Sequence, residues 1–111
     1  MMKSILLFIS IMLFSTVSVQ ASIYKGQKVY MKDCLGCHGT AEAFVSSKSI
    51  SDWESQMNKR GEQLAMVHLK EKKAEKSWAY FQSDSYGDKV KNLKKFLVEY
   101  AKNTGNVPAC N

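Results

Sequence analysis

Two thiols and an imidazole stand together at Cys34-Leu35-Gly36-Cys37-His38. Thiolates are nucleophiles and soft metal ligands, and a neutral imidazole binds a metal through either ring nitrogen. A Cys-x-x-Cys pair followed at once by His has the spacing of covalent haem attachment. Each thiol adds to one vinyl group of the haem, and two intervening residues let one turn of chain reach both. The imidazole that follows then lies under the iron.

Three other readings compete for the same residues. A redox disulfide of this spacing usually sits in an α/β pattern, and alternating strand-like runs are absent here. Half a zinc site needs a second half, yet only Cys110 and His68 remain, far apart and without pair spacing. Coincidence is the third. The histidine in place and an export signal upstream favour haem: one haem c, held by Cys34 and Cys37, with His38 as the proximal iron ligand.

The export signal is Met1 to Lys3, a short positive start, then an apolar run from Ile5 to Phe14 broken only by Ser10, then Val19-Gln20-Ala21. Small residues before a cut and a run too short for a comfortable membrane span are the layout of a secretory signal peptide. Residues 1–21 are therefore expected to be cleaved after Ala21, leaving residues 22–111 as one periplasmic domain. An uncleaved anchor is the competing reading. Removing the leader takes Lys3 with it, and the formal charge falls from +6 to +5.

So short a domain buries a limited core and often needs a staple. Three cysteines, two clustered and one at Cys110, do not make a disulfide framework. The lysines are scattered over helical stretches, which permits docking to an acidic partner face, and nucleic acid is not expected for an exported protein.

Helical spacing must position the motif. The pattern predicts a first helix over about Tyr24 to Asp33 and a polar loop from Gly39 to Ser51. A second helical region follows to about Lys70, capped by Ser51 or Asp52 and open to a break at Gly61. A third segment runs from roughly Glu71 to Gln82, and Ser83 to Gly87 reads as a turn. The last helix is the clearest. Asp88 reads as its cap, and Val90, Leu93, Phe96, Leu97, Tyr100 and Ala101 share one face, with a stop near Asn103 and Gly105 just beyond. The result is an all-α domain of three to five short helices.

At this point the chain resembles a known family. Gly26-x-x-x-Tyr30-x-x-x-Cys34 and Leu93-x-x-Phe96-Leu97 look like the first and last helices of a class I cytochrome c, with the attachment motif near the mature N-terminus. The resemblance spans most of residues 22–111. It implies a small cytochrome c fold wrapped round one covalently attached haem, crossing of the first and last helices at Gly26, and single-electron transfer between redox proteins. Membrane contact would come only through those partners.

The chain departs from the family in lacking a Met-Pro pair for the sixth iron ligand and a proline shortly after His38. His68, Met66 and Met57 are the candidate distal ligands. On one unbroken helix, Trp53, Met57, Leu64 and His68 share a stripe and Met66 points away, which favours His68. A break at Gly61 would restore Met66, and a vacant position stays open. Trp53, Trp78, Tyr80 and Phe81 read as pocket lining and core. Cys110 reads as a free thiol or an interchain link.

Two functions fit. One is an electron carrier, with Lys25, Lys28 and Lys32 before the motif available for docking. The other is a haem protein that binds a small gas, or the haem subunit of a larger redox enzyme. No nucleophile with a paired base suggests independent catalysis.

Overall fold

The computed structural model describes residues 19–108, all of it helix, turn and loop, with no β-strand among them. The described chain is all-α. Its first helix, α1, covers residues 19–29. It runs without a break into a π-helical turn at Tyr30–Cys34 and then into α2, Leu35–His38. The expected helix end at Asp33 is thus overrun, and the whole Cys34–His38 motif is helical. A wide turn of this kind adds a residue to the ring and re-aims the side chains after it.

The segment after Gly39 is less of a loop than its polarity suggests. α3 spans Ala41–Phe44, capped by Thr40, and a 3-10 turn follows at Val45–Ser47. Ala41 and Val45 are buried, and these small apolar contacts fold the stretch back on the core. α4, Ile50–Leu69, is capped by Ser49, ahead of both expected caps, Ser51 and Asp52. Ser49 Oγ accepts from the Asp52 amide at 3.1 Å and Asp52 Oδ2 accepts from the Ser49 amide at 3.0 Å, a reciprocal capping box. Asp52 is the partner in the first turn rather than the cap.

α4 is broken in its middle. Asn58 is extended, and Lys59, Arg60 and Gly61 have φ of 50°, 57° and 73°, three consecutive residues in the left-handed region. The left-handed conformation costs a residue with a Cβ roughly 1–2 kcal/mol. Contacts with α6, Tyr86–Glu99, offset it. Tyr86 Oη donates to the Gly61 carbonyl at 2.6 Å, in a buried position. Arg60 Nε donates to the Gly87 carbonyl at 3.1 Å, and its guanidinium pairs with Asp88. Gly61 needs to be glycine for space as well, since a Cβ would collide with the Tyr86 hydroxyl and stand 2.9 Å from Val90 Cγ2.

Beyond α4 come a 3-10 segment at Lys72–Ser77 and the single turn α5, Trp78–Phe81. The third helix expected over Glu71 to Gln82 is mostly the tighter 3-10 form. α6 starts at Tyr86, inside the expected turn, and closes at Glu99, short of Asn103. It buries Val90, Leu93, Phe96 and Leu97 of the expected face and adds Tyr86, while Tyr100 and Ala101 fall past its end, the first half-buried and the second buried. The core forms where that face meets Tyr30, Trp53, Met57 and Phe81.

α1 crosses α6 at Gly26. A Cβ there would run into the Asn92 carbonyl oxygen and lie 2.7 Å from Phe96 Cβ. One turn on, the rings of Tyr30 and Phe96 pack 5.8 Å apart. No helix among the described residues is long and apolar enough to cross a membrane. Most of the leader, residues 1–18, and Cys110 lie outside the described residues.

Candidate functional site

The π turn brings Cys34 inward and leaves it half-buried, while Cys37 and His38 on α2 stay exposed. Burial, with lesser contributions from Asp33 and Cys37, pushes the Cys34 thiol up to about 12, so it stays protonated. Both thiols are free. Gly39, with φ of 81°, ends α2 directly after His38, and Tyr30 Oη donates to the Gly39 carbonyl at 2.7 Å. The buried tyrosine four residues before the first cysteine therefore pins the backbone at the end of the motif.

His38 lies flat on Phe44, with ring centroids 4.2 Å apart and planes 17° apart. Phe44 meets Trp53 edge-on at 5.7 Å, and Trp53 is fixed by donating its Nε1–H to the buried Val45 carbonyl at 3.0 Å. Partial desolvation of its ring, then His68, then Lys48 hold the His38 pKa below the usual histidine value, which favours the neutral ring.

His68, in the second half of α4, faces it. The two imidazole centroids are 5.9 Å apart and their planes are 72° apart. His68 stacks on Phe81 at 4.6 Å, with planes 29° apart. Its Nδ1 is 2.7 Å from the Leu64 carbonyl, and a carbonyl only accepts, so Nδ1 carries the proton. In the neutral ring, Nε2 is left with its lone pair free. A second-shell carbonyl bond of this kind sets the tautomer of metal-binding histidines. Trp78 Nε1 donates to the His68 carbonyl at 2.8 Å and anchors the helix end.

Cavities flank the pair on both sides. One of about 300 Å³ is walled by Tyr30, Phe44, Trp53, Leu64, Leu93 and Leu97, with Lys48 and Gln56 also on its lining. Another of about 250 Å³ runs past Cys37, Ala74 and Ser77, with Lys73 and Glu71 beside it. Both share Cys34, His38, Val67, His68 and Phe81. The histidine pair thus stands in the middle of a largely apolar slot that has the two thiols on its lining.

The other candidate ligands lie elsewhere. Met66 is 41% exposed and lines a separate surface cavity with Ser55 and Glu62. Met57 is 3% exposed, but it lines a cavity with Lys59, Val90 and Lys94 that shares no residue with the slot. Of the expected stripe, Trp53, Leu64 and His68 line the slot and Met57 does not. The break also leaves Met66 outside, contrary to the expectation that breaking the helix would restore it.

Of the aromatic residues expected to line the pocket, Trp53 and Phe81 do so; Trp78 supports His68 from behind, and Tyr80 packs edge-on against Phe81 and Tyr86. Sequence reasoning missed Phe44, which lay in a supposed loop, and the clamp of Tyr86 on Gly61. Among the described residues no three of His, Cys, Asp and Glu form a group that could hold a metal ion; His38 and His68 face each other, with Cys34 and Cys37 on the lining. No family model, curated protein or solved structure matches the chain.

Proposed function

We propose that the chain is a small exported c-type cytochrome that carries single electrons between redox proteins, with His38 and His68 as the two axial ligands of one covalently bound haem. The observation that carries the reading is the His38–His68 pair, set beside two free thiols in a slot open on both sides. An iron bound by both side chains, about 2 Å from each ligating nitrogen, would hold the two imidazole centroids about 6 Å apart. The 5.9 Å separation fits that spacing.

Bound there, the haem supplies a reversible one-electron couple. Cys34 and Cys37 would tether it, and His38 and His68 would supply the imidazole ligands to its iron. Phe44 and Phe81, stacked on the two imidazoles, and the Leu64 carbonyl, which accepts from His68 Nδ1, hold the two rings in place. Leu64, Leu93 and Leu97 present apolar surface to the slot and lower the local dielectric. Two imidazoles give a lower reduction potential than a His–Met pair, because the thioether raises it.

Exposed Lys25, Lys28 and Lys32 on α1 and the π turn, with Lys48 and Lys73 on the slot lining, suit a partner with an acidic face. Charge complementarity of this sort speeds encounter and weakens with salt. Export to the periplasm with cleavage after Ala21 belongs to the same proposal, and Ser22 at the N-terminus of the purified protein tests it.

Absorption spectra in both oxidation states test the carrier reading. It predicts low-spin iron in each state and reversible one-electron reduction. High-spin ferric iron that takes up carbon monoxide at once on reduction favours the gas-binding reading instead.

A further inference from the structure

We infer that Tyr86 is a positioning residue for His68: it holds the distal imidazole opposite His38 through two separate contacts, one to backbone and one to a ring. The inference rests on the proposal that His68 binds the haem iron.

The segment that carries His68 leaves the first half of α4 at a left-handed turn, Lys59-Arg60-Gly61. Its direction is set by whatever holds that turn. Tyr86 Oη donates to the Gly61 carbonyl at 2.6 Å, and the lack of a Cβ on Gly61 lets the phenol approach. Burial pushes the Tyr86 phenol up to about 12, with a lesser push from Cys34, so it remains a donor at any ordinary pH. The ring of the same tyrosine packs edge-on to Phe81 at 5.3 Å, and Phe81 stacks on His68 at 4.6 Å. One side chain on α6 therefore fixes both the start of the 62–69 segment and the aromatic backing of the imidazole seven residues later. Arg60, tied to Gly87 and Asp88, clamps the same turn from the solvent side.

The device explains why a strained turn sits in the middle of a helix. Backbone strain persists where the surroundings over-determine it, and it tends to cluster near functional groups. Here the turn separates Met57, which faces α6, from Leu64 and His68, which face the slot.

The test uses the haem-loaded protein and reads the ferric spin state and the rate of cyanide binding. Tyr86→Phe keeps the ring and removes only the hydroxyl. Loss of one buried hydrogen bond shifts an equilibrium by about tenfold, so a high-spin fraction and cyanide binding about tenfold faster than wild type are expected. In a His68→Ala background the same change should add nothing. Gly61→Ala, which pushes a methyl group at the Tyr86 hydroxyl, should act in the same direction. If both variants lower the unfolding midpoint but leave spectrum and rate as in wild type, Tyr86 is structural only and the inference is overturned. If His68→Ala itself leaves spectrum and rate unchanged, His68 is not the ligand, and that reading fails together with the inference.

Discussion

The His38 and His68 rings stand 5.9 Å apart with planes 72° from each other, each backed by a stacked phenylalanine, Phe44 for one and Phe81 for the other. The two histidines lie thirty residues apart in the chain, on α2 and α4, and each is held by a different part of the core. Both rings lie on the lining of two adjoining cavities.

Replacing His68 with Ala should open the distal position of the haem-loaded protein and shift the ferric spectrum to high spin. Met66→Ala should leave the spectrum unchanged, because Met66 is on the outer surface. Met57→Ala should also keep the spectrum. Loss of so buried a side chain should still cost about 2–5 kcal/mol of stability, read from denaturant unfolding.

At the crossing of α1 and α6, Gly26→Val should lower the unfolding midpoint. The added side chain meets the Asn92 carbonyl and Phe96 Cβ, and overpacking of this kind costs about 1–3 kcal/mol. An unchanged midpoint would mean the helices do not touch there.

The capping box gives a pH prediction. Hydrogen bonds from the Ser49 amide and hydroxyl hold the Asp52 carboxyl below its usual range. The folded state therefore favours the ionised form. Its contribution is present above the unfolded carboxyl pKa, about 3.9, and is lost as pH falls through the lower folded value. Asp52→Asn should flatten the acid limb of a stability–pH curve below that point and leave its shape above pH 5 unchanged. Ser49→Ala should cost about 1 kcal/mol at neutral pH.

Trp78→Phe removes the donor to the His68 carbonyl while keeping most of the ring. A bond of this kind contributes about 1 kcal/mol. Amide hydrogen exchange over the last turn of α4 should quicken in the variant, and equal protection in both proteins would mean the bond does not anchor that turn.

Much of this was legible in the sequence, and the rest has identifiable causes. The apolar face of α6 follows the 3.6-residue period from Val90 to Leu97, although Tyr100 and Ala101 fall past the helix end, and the close approach at Gly26 was legible too, since no other residue fits there. The three motif residues are contiguous, so their proximity needed no fold. His68 was reached by a stripe argument that assumed a straight α4, and the real helix is broken. The break depends on Tyr86 and Arg60 meeting partners 25 to 28 residues away, which no local pattern encodes. Phe44 was hidden by the polar residues around it, although Thr40 marks the start of its short helix.

The central claim, a haem bonded through Cys34 and Cys37, is tested most directly by denaturing the purified protein in acid and extracting with organic solvent. The account predicts that the haem stays with the polypeptide, on a fragment containing both cysteines, and that replacing both with Ala releases it. Haem that passes completely into the solvent from the unaltered protein would contradict the account.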